Sequence, residues 1–383
     1  MQAAGAVWKL LRGKDREKLG TVPRSACVGL GAGQSPFSLT REEVLTWLKE
    51  EEEWKLDFLW TEADRVREEH VGDEVHLRGL IELSSFCRRD CHYCGIRGSR
   101  NIERYRMTEE EVTECVRLGV QLGYGTVVLQ AGEDPGLPRE RITRHVRFIK
   151  AETPLAVTLS LGERSDEELT EWREAGADRY LLRHETSDMA LFHRIHPDCG
   201  RERSDRIDLL RKLKRLGYEV GSGVMVGIPG QSYESLANDI MLFRELDLDM
   251  VGVGPYLAHP DTPLGRDAAA FSLPAGEQVP ATDVMTTKVI ALTRLTCPDA
   301  NIPATTALAT VNNENGRELG LERGANVWMP NLTPVKYRKL YEIYPDKACV
   351  GDAAEACQAC LLRRIESLGR RPGKGPGGRK REG

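Results

Sequence analysis

The sequence of 383 residues has no apolar run of the roughly 18 residues that a membrane-spanning helix needs. It also has no basic excess, because 54 Lys and Arg face 59 Asp and Glu, giving a net charge of −5. That balance argues against a protein that binds nucleic acid through a basic face. No apolar segment of the signal-peptide type is found either. We therefore expect a cytoplasmic protein with neither a membrane nor a nucleic acid as partner.

Ten cysteines are present, and their distribution is uneven. In a chain without an export signal they indicate a reducing compartment and metal ligation rather than disulfides. Six of them form two groups, Cys87/Cys91/Cys94 and Cys349/Cys357/Cys360. The other four stand alone and are predicted to be packing residues: Cys27, Cys115, Cys199 and Cys297.

The first group is a C-x3-C-x2-C run that follows an apolar segment, residues 79–84, which is typical of a buried strand. Full ligation of an iron–sulfur cubane normally takes four cysteines. Three thiolates on one loop therefore suggest a 4Fe–4S cluster whose fourth iron is open for a small molecule. S-adenosylmethionine (SAM) can fill that place, and an electron from the reduced cluster then releases a 5′-deoxyadenosyl radical.

Two other interpretations of the run are weaker. Half of a zinc ribbon would leave three close cysteines, but a structural zinc site usually has two C-x2-C pairs or added histidines. A disulfide framework requires a secreted protein, and nothing in the sequence indicates secretion.

The order of elements predicts an α/β protein. Residues 1–38 form a poorly ordered extension, and Thr40 to Glu43 is a capping box that opens a helix to about Trp54. A second helix is predicted over residues 62–69, and the acidic run 50–53 is expected to be a solvated helix face. Strands are predicted at residues 79–84, 126–131, 155–161, 179–184, 220–228, 250–257, 302–308 and 325–329.

Helical stretches separate most of these strands. Further capping boxes begin at Thr108 and Ser165, and helices are expected to stop at Gly123, Gly176 and Gly217. Eight strands alternating with helices favour a (β/α)8 TIM barrel with an N-terminal helical extension. The predicted division is an extension at 1–38, helices at 39–75, the barrel at 76–345 and a C-terminal segment at 346–383.

Polar residues follow most of the strands, where the functional residues of a barrel lie. Jointly they offer one mouth a carboxylate, an arginine and hydroxyls, which suits a zwitterionic sulfonium and a nucleoside. His184, after the fourth strand, could be a metal ligand, but a hydrogen-bonding role in the scaffold is the better interpretation of a lone histidine.

From Leu39 to Arg381 the chain resembles the radical SAM family, and within it the maturases of FeFe-hydrogenase. The segments that bear the resemblance are residues 87–95, 128–134, 158–163, 180–186, 225–231, 259–263, 302–307, 325–331 and 368–373. The resemblance implies a barrel of the radical SAM type, with SAM at the upper mouth and a deep cavity below it.

The resemblance also implies roles for single residues. Cys87, Cys91 and Cys94 would ligate the 4Fe–4S cluster. SAM would be held by Gln130, Glu185 and Arg206, with Tyr93 beside its adenine and with Arg201 and Arg203 as alternatives to Arg206. The substrate side would be lined by Thr158, Arg183, Thr305, Thr306, Met329 and Tyr341.

The implied reaction is attack of the adenosyl radical at a sulfur of an organometallic substrate, a cysteine-bound iron complex bearing CO and cyanide. The implied partners are an electron donor such as a ferredoxin or flavodoxin, and the other hydrogenase maturases.

The second cysteine group, C-x7-C-x2-C, matches the position of an auxiliary 2Fe–2S or 4Fe–4S cluster in these maturases, where it is not universal. On its own the spacing would also fit zinc. The tail from Arg370 to Arg381 contains six basic residues. A nucleic-acid arm is one interpretation, but its Gly and Pro content favours a solvated terminus.

Three functions remain open at this point. The first is hydrogenase maturation. The second is another radical SAM reaction, such as the lysine rearrangement of methylornithine synthase or the sulfur insertion of biotin synthase. Biotin synthase would need ligands for a second cluster inside the barrel, and the strands offer no second cysteine set. The third is a metal-binding scaffold without catalytic activity, which would produce no 5′-deoxyadenosine from SAM.

Overall fold

A computed structural model describes residues 39–198, 205–351 and 353–380. The predictions for residues 1–38, Cys199, Arg201 and Arg203 lie outside these ranges. The strands are β1 Glu74–Ser84, β2 Thr126–Ala131, β3 Ala156–Ser160, β4 Arg179–Leu181, β5 Glu219–Val226, β6 Met250–Pro255, β7 Val327–Trp328 and β8 Arg371–Pro372. The helices are α1 Arg41–Lys49, α2 Glu53–Val71, α3 Glu109–Gln121, α4 Arg139–Glu152, α5 Asp166–Glu174, α6 Met189–Ile195, α7 Arg206–Arg215, α8 Tyr233–Glu245, α9 Pro263–Arg266, α10 Ala268–Phe271, α11 Asp283–Thr296, α12 Thr306–Val311, α13 Gly316–Glu322, α14 Val335–Arg338 and α15 Ala354–Ser367.

The strands form a parallel ring. Strands β1 to β6 pair in sequence order, and β7 pairs with the other edge of β1. The gap between β6 and β7 is filled by a short extended stretch, in which Asn301 bridges Met250 and Pro303 bridges Val327. Eight parallel positions therefore close on themselves, which confirms the predicted (β/α)8 barrel.

The predicted strand at 302–308 is wrong beyond its first residues. The stretch is extended only at 301–303, and a helix, α12, begins at Thr306. The Thr305 hydroxyl accepts a hydrogen bond from the Leu308 amide and caps this helix. The side chain of Thr305 thus turns the backbone out of the sheet.

The N-terminal helices differ from their prediction at the acidic run. The capping box at Thr40 is confirmed, but α1 ends at Lys49 and α2 covers 53–71 rather than 62–69. The Glu50 carboxylate accepts hydrogen bonds from the amides of Glu51 and Glu52. The run therefore breaks the chain into two helices, because its own side chain competes for backbone donors.

The other local predictions hold. The capping boxes at Thr108 and Ser165 are both formed. The lone cysteines that the structure describes, Cys115 and Cys297, are buried in the core, as expected of packing residues. None of the helices described is long and apolar enough to cross a membrane. The division of the chain at residues 75 and 345 stays a prediction.

The C-terminal tail is not a solvated terminus. It pairs with β1 through Arg371 and Pro372 and then crosses the amino-terminal end of the barrel. There the Pro376 carbonyl accepts hydrogen bonds from Thr126 and Arg179, and the Gly377 carbonyl accepts one of 3.0 Å from Arg78. The tail is therefore ordered because its carbonyls accept hydrogen bonds from arginines of the lower barrel, where Arg179 also pairs with Glu219 at 2.5 Å.

Arg379 fastens the tail. Its guanidinium donates two hydrogen bonds of 2.8 Å to Asp299 and one of 2.5 Å to Asp247. Its side chain is 12% exposed, so these charge-assisted bonds are largely shielded from water.

We expect Arg379→Ala to lower the free energy of unfolding by about 1.5–3 kcal/mol, the value of hydrogen bonds to charged groups. Urea unfolding followed by circular dichroism measures the change. Lys374→Ala, at an exposed position of the same tail, is the matched control and should leave the midpoint unchanged. Equal midpoints for the two variants would contradict the fastening role.

Candidate active site at the carboxyl end of the barrel

The cysteine loop leaves β1 at the carboxyl end of the barrel, and its backbone is anchored at three places. The Arg88 amide donates to the Glu133 carbonyl at 3.0 Å. The amides of His92 and Gly95 donate to the carbonyls of Ile195 and Ile343 at 2.8 and 2.9 Å. The loop is thus held by segments that follow β2, β4 and β7.

Asp90, inside the cysteine run, holds the loop together. Its carboxylate accepts two hydrogen bonds of 2.7 Å from Arg97 and two more from the Ser99 hydroxyl and amide. The Arg97 guanidinium and the Ser99 donors hold the pKa of Asp90 well below its usual range. Asp90 was not among the predicted site residues, because the arginine that pairs with it lies beyond the motif.

The three thiols fit a cubane cluster. Among the described residues no three His, Cys, Asp or Glu side chains are placed to hold a single metal ion, but a cubane binds each thiolate at a separate iron. Burial, with a contribution from Cys87, raises the pKa of Cys94 to about 12, so cluster binding must displace protons. The Arg89 amide already donates to the Cys87 sulfur at 3.4 Å, a type of contact that tunes such clusters.

An ionic network borders the loop. Arg89 donates to Glu133 at 2.8 Å and to Glu163 at 2.5 Å. Arg206 donates to Glu163 at 3.0 Å and to the Arg183 carbonyl at 2.8 Å. Charges that alternate at these distances lower the electrostatic cost of burying them beside the thiols. Sequence reasoning found Arg206 but missed Arg89, which is paired through residues far along the chain.

Glu185 is a predicted SAM residue whose carboxylate has an unused hydrogen-bond acceptor. Its Oε2 is buried and has no hydrogen-bond donor among the described residues. Arg183 Nε lies 3.5 Å away, an ion-pair distance without hydrogen-bond geometry, and is likewise without a partner in the described chain. The ion pair of Glu185 and Arg183 therefore leaves buried hydrogen-bonding capacity on both side chains, which a polar ligand beside the pair can use.

The backbone at Glu185 is strained. Its φ is +64°, in the left-handed region that side chains other than glycine rarely adopt. The residue is held there by the Glu185 amide, which donates to the Gly223 carbonyl at 3.0 Å, and by a bridge to Val224. Such strain persists where surrounding contacts enforce it, as at ligand sites.

An apolar cluster lies beside Tyr93. The Tyr93 hydroxyl donates to His196 Nε2 at 2.9 Å, because the other nitrogen of this ring donates to the Phe192 carbonyl. The ring of Tyr93 packs against a buried cluster made of Leu191, Ile195, Met225, Ile228, Tyr256 and Leu264. An apolar surface next to the cysteine loop suits the adenine predicted there.

The predicted substrate residues lie deeper in the barrel. Thr158, on β3, is 1% exposed, and its hydroxyl lacks a partner within the part of the chain described. Arg183 reaches across to the backbone carbonyls of Val224 and Gly252. At Gly223 an added Cβ would lie 1.9 Å from the Gly252 carbonyl oxygen, so the backbones of β5 and β6 approach each other too closely for a side chain at this position.

The remaining predicted residues are distributed around the same mouth. Gln130 donates to the Tyr341 hydroxyl at 3.3 Å, which brings a predicted SAM residue and a predicted substrate residue together. Thr305 donates to the Val253 carbonyl, and Thr306 accepts from Arg317. Met329 follows β7 directly and is half-buried.

His184 belongs to the scaffold, as expected. The Ser222 hydroxyl donates to the Leu182 carbonyl at 2.7 Å and so accepts from His184 Nδ1 at 2.9 Å. The imidazole packs edge-on against Phe243 of α8, outside the barrel interior. Burial lowers its pKa to about 3, and the ring stays neutral.

The C-terminal cysteines border the barrel. Cys357 and Cys360 are three residues apart on α15, one helical turn, and Cys349 lies in the loop before it. The pKa of Arg364 is raised chiefly by its hydrogen bond to Glu318, with smaller contributions from Cys360 and Cys349. The Arg364 guanidinium therefore lies close enough to Cys349, in the loop, and to Cys360, on α15, for both thiols to affect its pKa.

The comparisons with known proteins agree with this geometry. The Radical SAM superfamily profile matches residues 81–243, which include the cysteine loop, β2 to β5 and Glu185. The chain belongs to the radical SAM superfamily and is a radical SAM enzyme, a class that uses a 4Fe–4S cluster and SAM. Within the class it is 50% identical, over 83% of its own length and 88% of the relative's, to the [FeFe] hydrogenase maturase subunit HydE of Thermotoga maritima.

A second type of relative is more distant. The 3-methylornithine synthase of Methanosarcina barkeri is 28% identical over 88% of this chain and 91% of that protein. The crystal structure of a methylornithine synthase superimposes with a TM-score of 0.72 and 27% identity, covering 88% of this chain and 95% of the other. The barrel is therefore shared by enzymes whose named products differ.

We expect Glu185→Gln to weaken SAM binding about ten- to a hundredfold while the iron content stays unchanged. A charged hydrogen bond contributes about 1.5–3 kcal/mol, and the amide cannot replace the carboxylate beside a cationic ligand. Calorimetric titration of the anaerobic protein with SAM measures the affinity.

Two further variants serve as controls for Glu185→Gln. Glu234→Gln, at an exposed carboxylate paired with Lys49, should leave SAM affinity unchanged. Cys91→Ala should instead lose the iron itself. Wild-type SAM affinity in Glu185→Gln would assign the contact to another carboxylate.

Proposed function

We propose that this protein acts in the assembly of the H-cluster of FeFe-hydrogenase, as a HydE-type maturase. The single observation that supports this most strongly is 50% identity to a hydrogenase maturase subunit over 83% of this chain and 88% of that subunit. The proposed reaction begins with reductive cleavage of SAM to a 5′-deoxyadenosyl radical. The radical then reacts at a sulfur of a cysteine-bound iron complex bearing CO and cyanide.

The cofactor side is assigned to the cysteine loop and the residues around it. Cys87, Cys91 and Cys94 would hold the 4Fe–4S cluster, which when bound supplies the electron for SAM cleavage. Glu185 would accept hydrogen bonds from the cationic and hydroxyl groups of SAM, and Gln130 would orient it. Arg206, already bonded to Glu163 and to a carbonyl, would act next to SAM through N–H donors that these two bonds do not use.

The substrate side is assigned to the barrel below. Arg183 offers a guanidinium whose Nε makes no hydrogen bond within the described chain, and Thr158 offers a hydroxyl that likewise makes none. These groups suit an anionic ligand such as a cyanide or carboxylate. Thr305, Thr306, Met329 and Tyr341 complete the proposed lining. A tail that covers the lower end keeps water from this space, which protects a radical.

The partners proposed are those of a maturation system. An electron donor such as a ferredoxin or flavodoxin would reduce the cluster from the side of the cysteine loop, in the reducing cytoplasm. Other hydrogenase maturases would supply the organometallic substrate and receive the product.

The C-terminal cysteines are proposed to hold an auxiliary cluster of the 2Fe–2S or 4Fe–4S type. Two thiols one turn apart on α15 and a third from the preceding loop form a donor set that spans the junction of two elements. The set lies outside the ring of strands, so its proposed role is separate from SAM cleavage.

Rearrangement of lysine is the second candidate function, because the methylornithine synthase fold covers 88% of this chain. The extra C-terminal cysteine group is the feature that favours maturation over it.

We expect this protein to restore hydrogen evolution when it replaces HydE in a cell-free hydrogenase maturation mixture. The barrel accepts an anionic iron complex, so SAM cleavage should also accelerate when that complex is added. A preparation that turned lysine into methylornithine and left the hydrogenase inactive would contradict the proposal and favour the second function.

We expect the triple variant Cys349→Ala/Cys357→Ala/Cys360→Ala to contain fewer irons and still cleave SAM. The cause is spatial, since these thiols lie outside the mouth that holds SAM. Iron analysis and chromatographic detection of 5′-deoxyadenosine measure the two properties. Loss of SAM cleavage in a folded triple variant would show that the auxiliary group takes part in catalysis.

A further inference from the structure

A buried ion pair that none of the assigned roles uses lies inside the barrel mouth. Glu82, on β1, has no exposed surface, and its Oε1 accepts a short hydrogen bond from the ammonium of Lys347. The side chain of Lys347 is 8% exposed. The second oxygen of Glu82 accepts from Asn331 Nδ2 at 3.0 Å. Both carboxylate oxygens are therefore satisfied, as a buried charge requires.

The two partners come from distant parts of the chain. Glu82 pairs in register with Gln130 of β2, so the two residues lie at the same level of the barrel. Lys347 lies two residues before Cys349, in the loop that leads to α15. That loop is fixed directly after Lys347, because the Ala348 amide donates to the Thr310 hydroxyl and the Cys349 carbonyl accepts from Arg338 at 3.1 Å.

Lys347 also contacts the aromatic ring of Tyr341. Its ammonium lies 5.3 Å from the ring centroid, within the range of a cation–π contact. Tyr341 is 2% exposed, and its hydroxyl accepts the 3.3 Å hydrogen bond from Gln130. A continuous set of contacts thus runs from Glu82 through Lys347 and Tyr341 to Gln130.

Stability alone does not explain this arrangement. Burying an ion pair gains little or nothing over a well-packed apolar pair, because both charges lose their water. What an ion pair does supply is a defined geometry for its neighbours. Here the neighbour is the tyrosine that orients Gln130.

We propose that Lys347 is a positioning residue for SAM, which acts through Tyr341 on Gln130. The loop with the C-terminal cysteines is thereby a wall of the active-site cavity, connected to it by Lys347 and not by the thiols. This inference rests on the proposed contact of Gln130 with SAM.

The test compares SAM affinity with thermal stability in anaerobically reconstituted full-length variants. Lys347→Met should weaken SAM binding about two- to tenfold, the effect of one neutral hydrogen bond. It should also lower the melting temperature, since Glu82 is left without its counter-charge. In Glu82→Gln/Lys347→Met no unpaired charge remains, so the melting temperature should recover while SAM affinity stays weak.

Two further variants separate positioning from folding. Lys347→Arg should regain most of the affinity, because a guanidinium also pairs with a carboxylate and stacks on an aromatic ring. Lys336→Met is the matched control: this exposed lysine pairs with Glu111 and lies 4.7 Å from the ring centroid of Tyr337. It should leave both SAM affinity and the KM of SAM cleavage unchanged.

The outcomes that overturn the proposal are distinct. If the double variant recovers SAM affinity together with stability, Lys347 serves folding alone. If Gln130→Ala weakens SAM binding and Lys347→Met does not, the contact of Gln130 stands and its positioning by Lys347 is wrong. If Gln130→Ala itself binds SAM normally, the inference fails together with the assigned role of Gln130, whereas the maturation experiment remains a separate test.

Discussion

Charges enclosed in a ring of parallel strands must find partners, and this constraint determines much of the molecule. At the lower end Arg78 and Arg179 each donate to a carbonyl of the C-terminal tail, and Arg179 also pairs with Glu219. At the upper end Glu82 is satisfied by Lys347, which belongs to the loop before α15. Both ends of the barrel are therefore closed by segments that follow the last strand of the ring. Between the two ends, the ion pair of Glu185 and Arg183 keeps atoms without hydrogen-bond partners in the described chain, and a polar ligand could use them.

The same constraint shapes the cysteine loop. The three thiols are partly buried, and a cluster bound to them would add negative charge. That charge requires hydrogen-bond donors and cations nearby. Arg89 and Arg206 provide these, and Glu133 and Glu163 fix the two guanidinium groups in place. The alternation of charge is what allows an electron-rich centre to lie beside an apolar surface suited to adenine. A loop with the cysteines alone would bind iron, but it would not place the cluster and SAM at a defined distance.

Local interactions were predictable from the sequence, and interactions between distant segments were not. The capping boxes at Thr40, Thr108 and Ser165 each involve residues three apart, and all are present. The barrel followed from alternating strand and helix patterns. The seventh strand was overestimated, because its apolar residues continue into α12 and only the Thr305 cap ends it. The tail was predicted to be a solvated terminus, because its Gly and Pro content gives no indication of its contacts with Arg78 and Arg179 in the barrel. The roles of the cysteine loop and of Glu185 stay predictions, and neither the positive φ of Glu185 nor its unpaired Oε2 has a local signal in the sequence.

Chain connectivity relates the two cysteine groups. The stretch from Asn331 to Cys349 leaves the last strand, supplies Tyr341 and Lys347 to the cavity and then reaches the first auxiliary thiol. Loss of the thiols leaves this path intact, because the Lys347 ammonium and the Cys349 backbone are held by Glu82 and Arg338, not by the sulfur. The contacts that hold this loop against the barrel are therefore independent of whatever the three sulfurs bind.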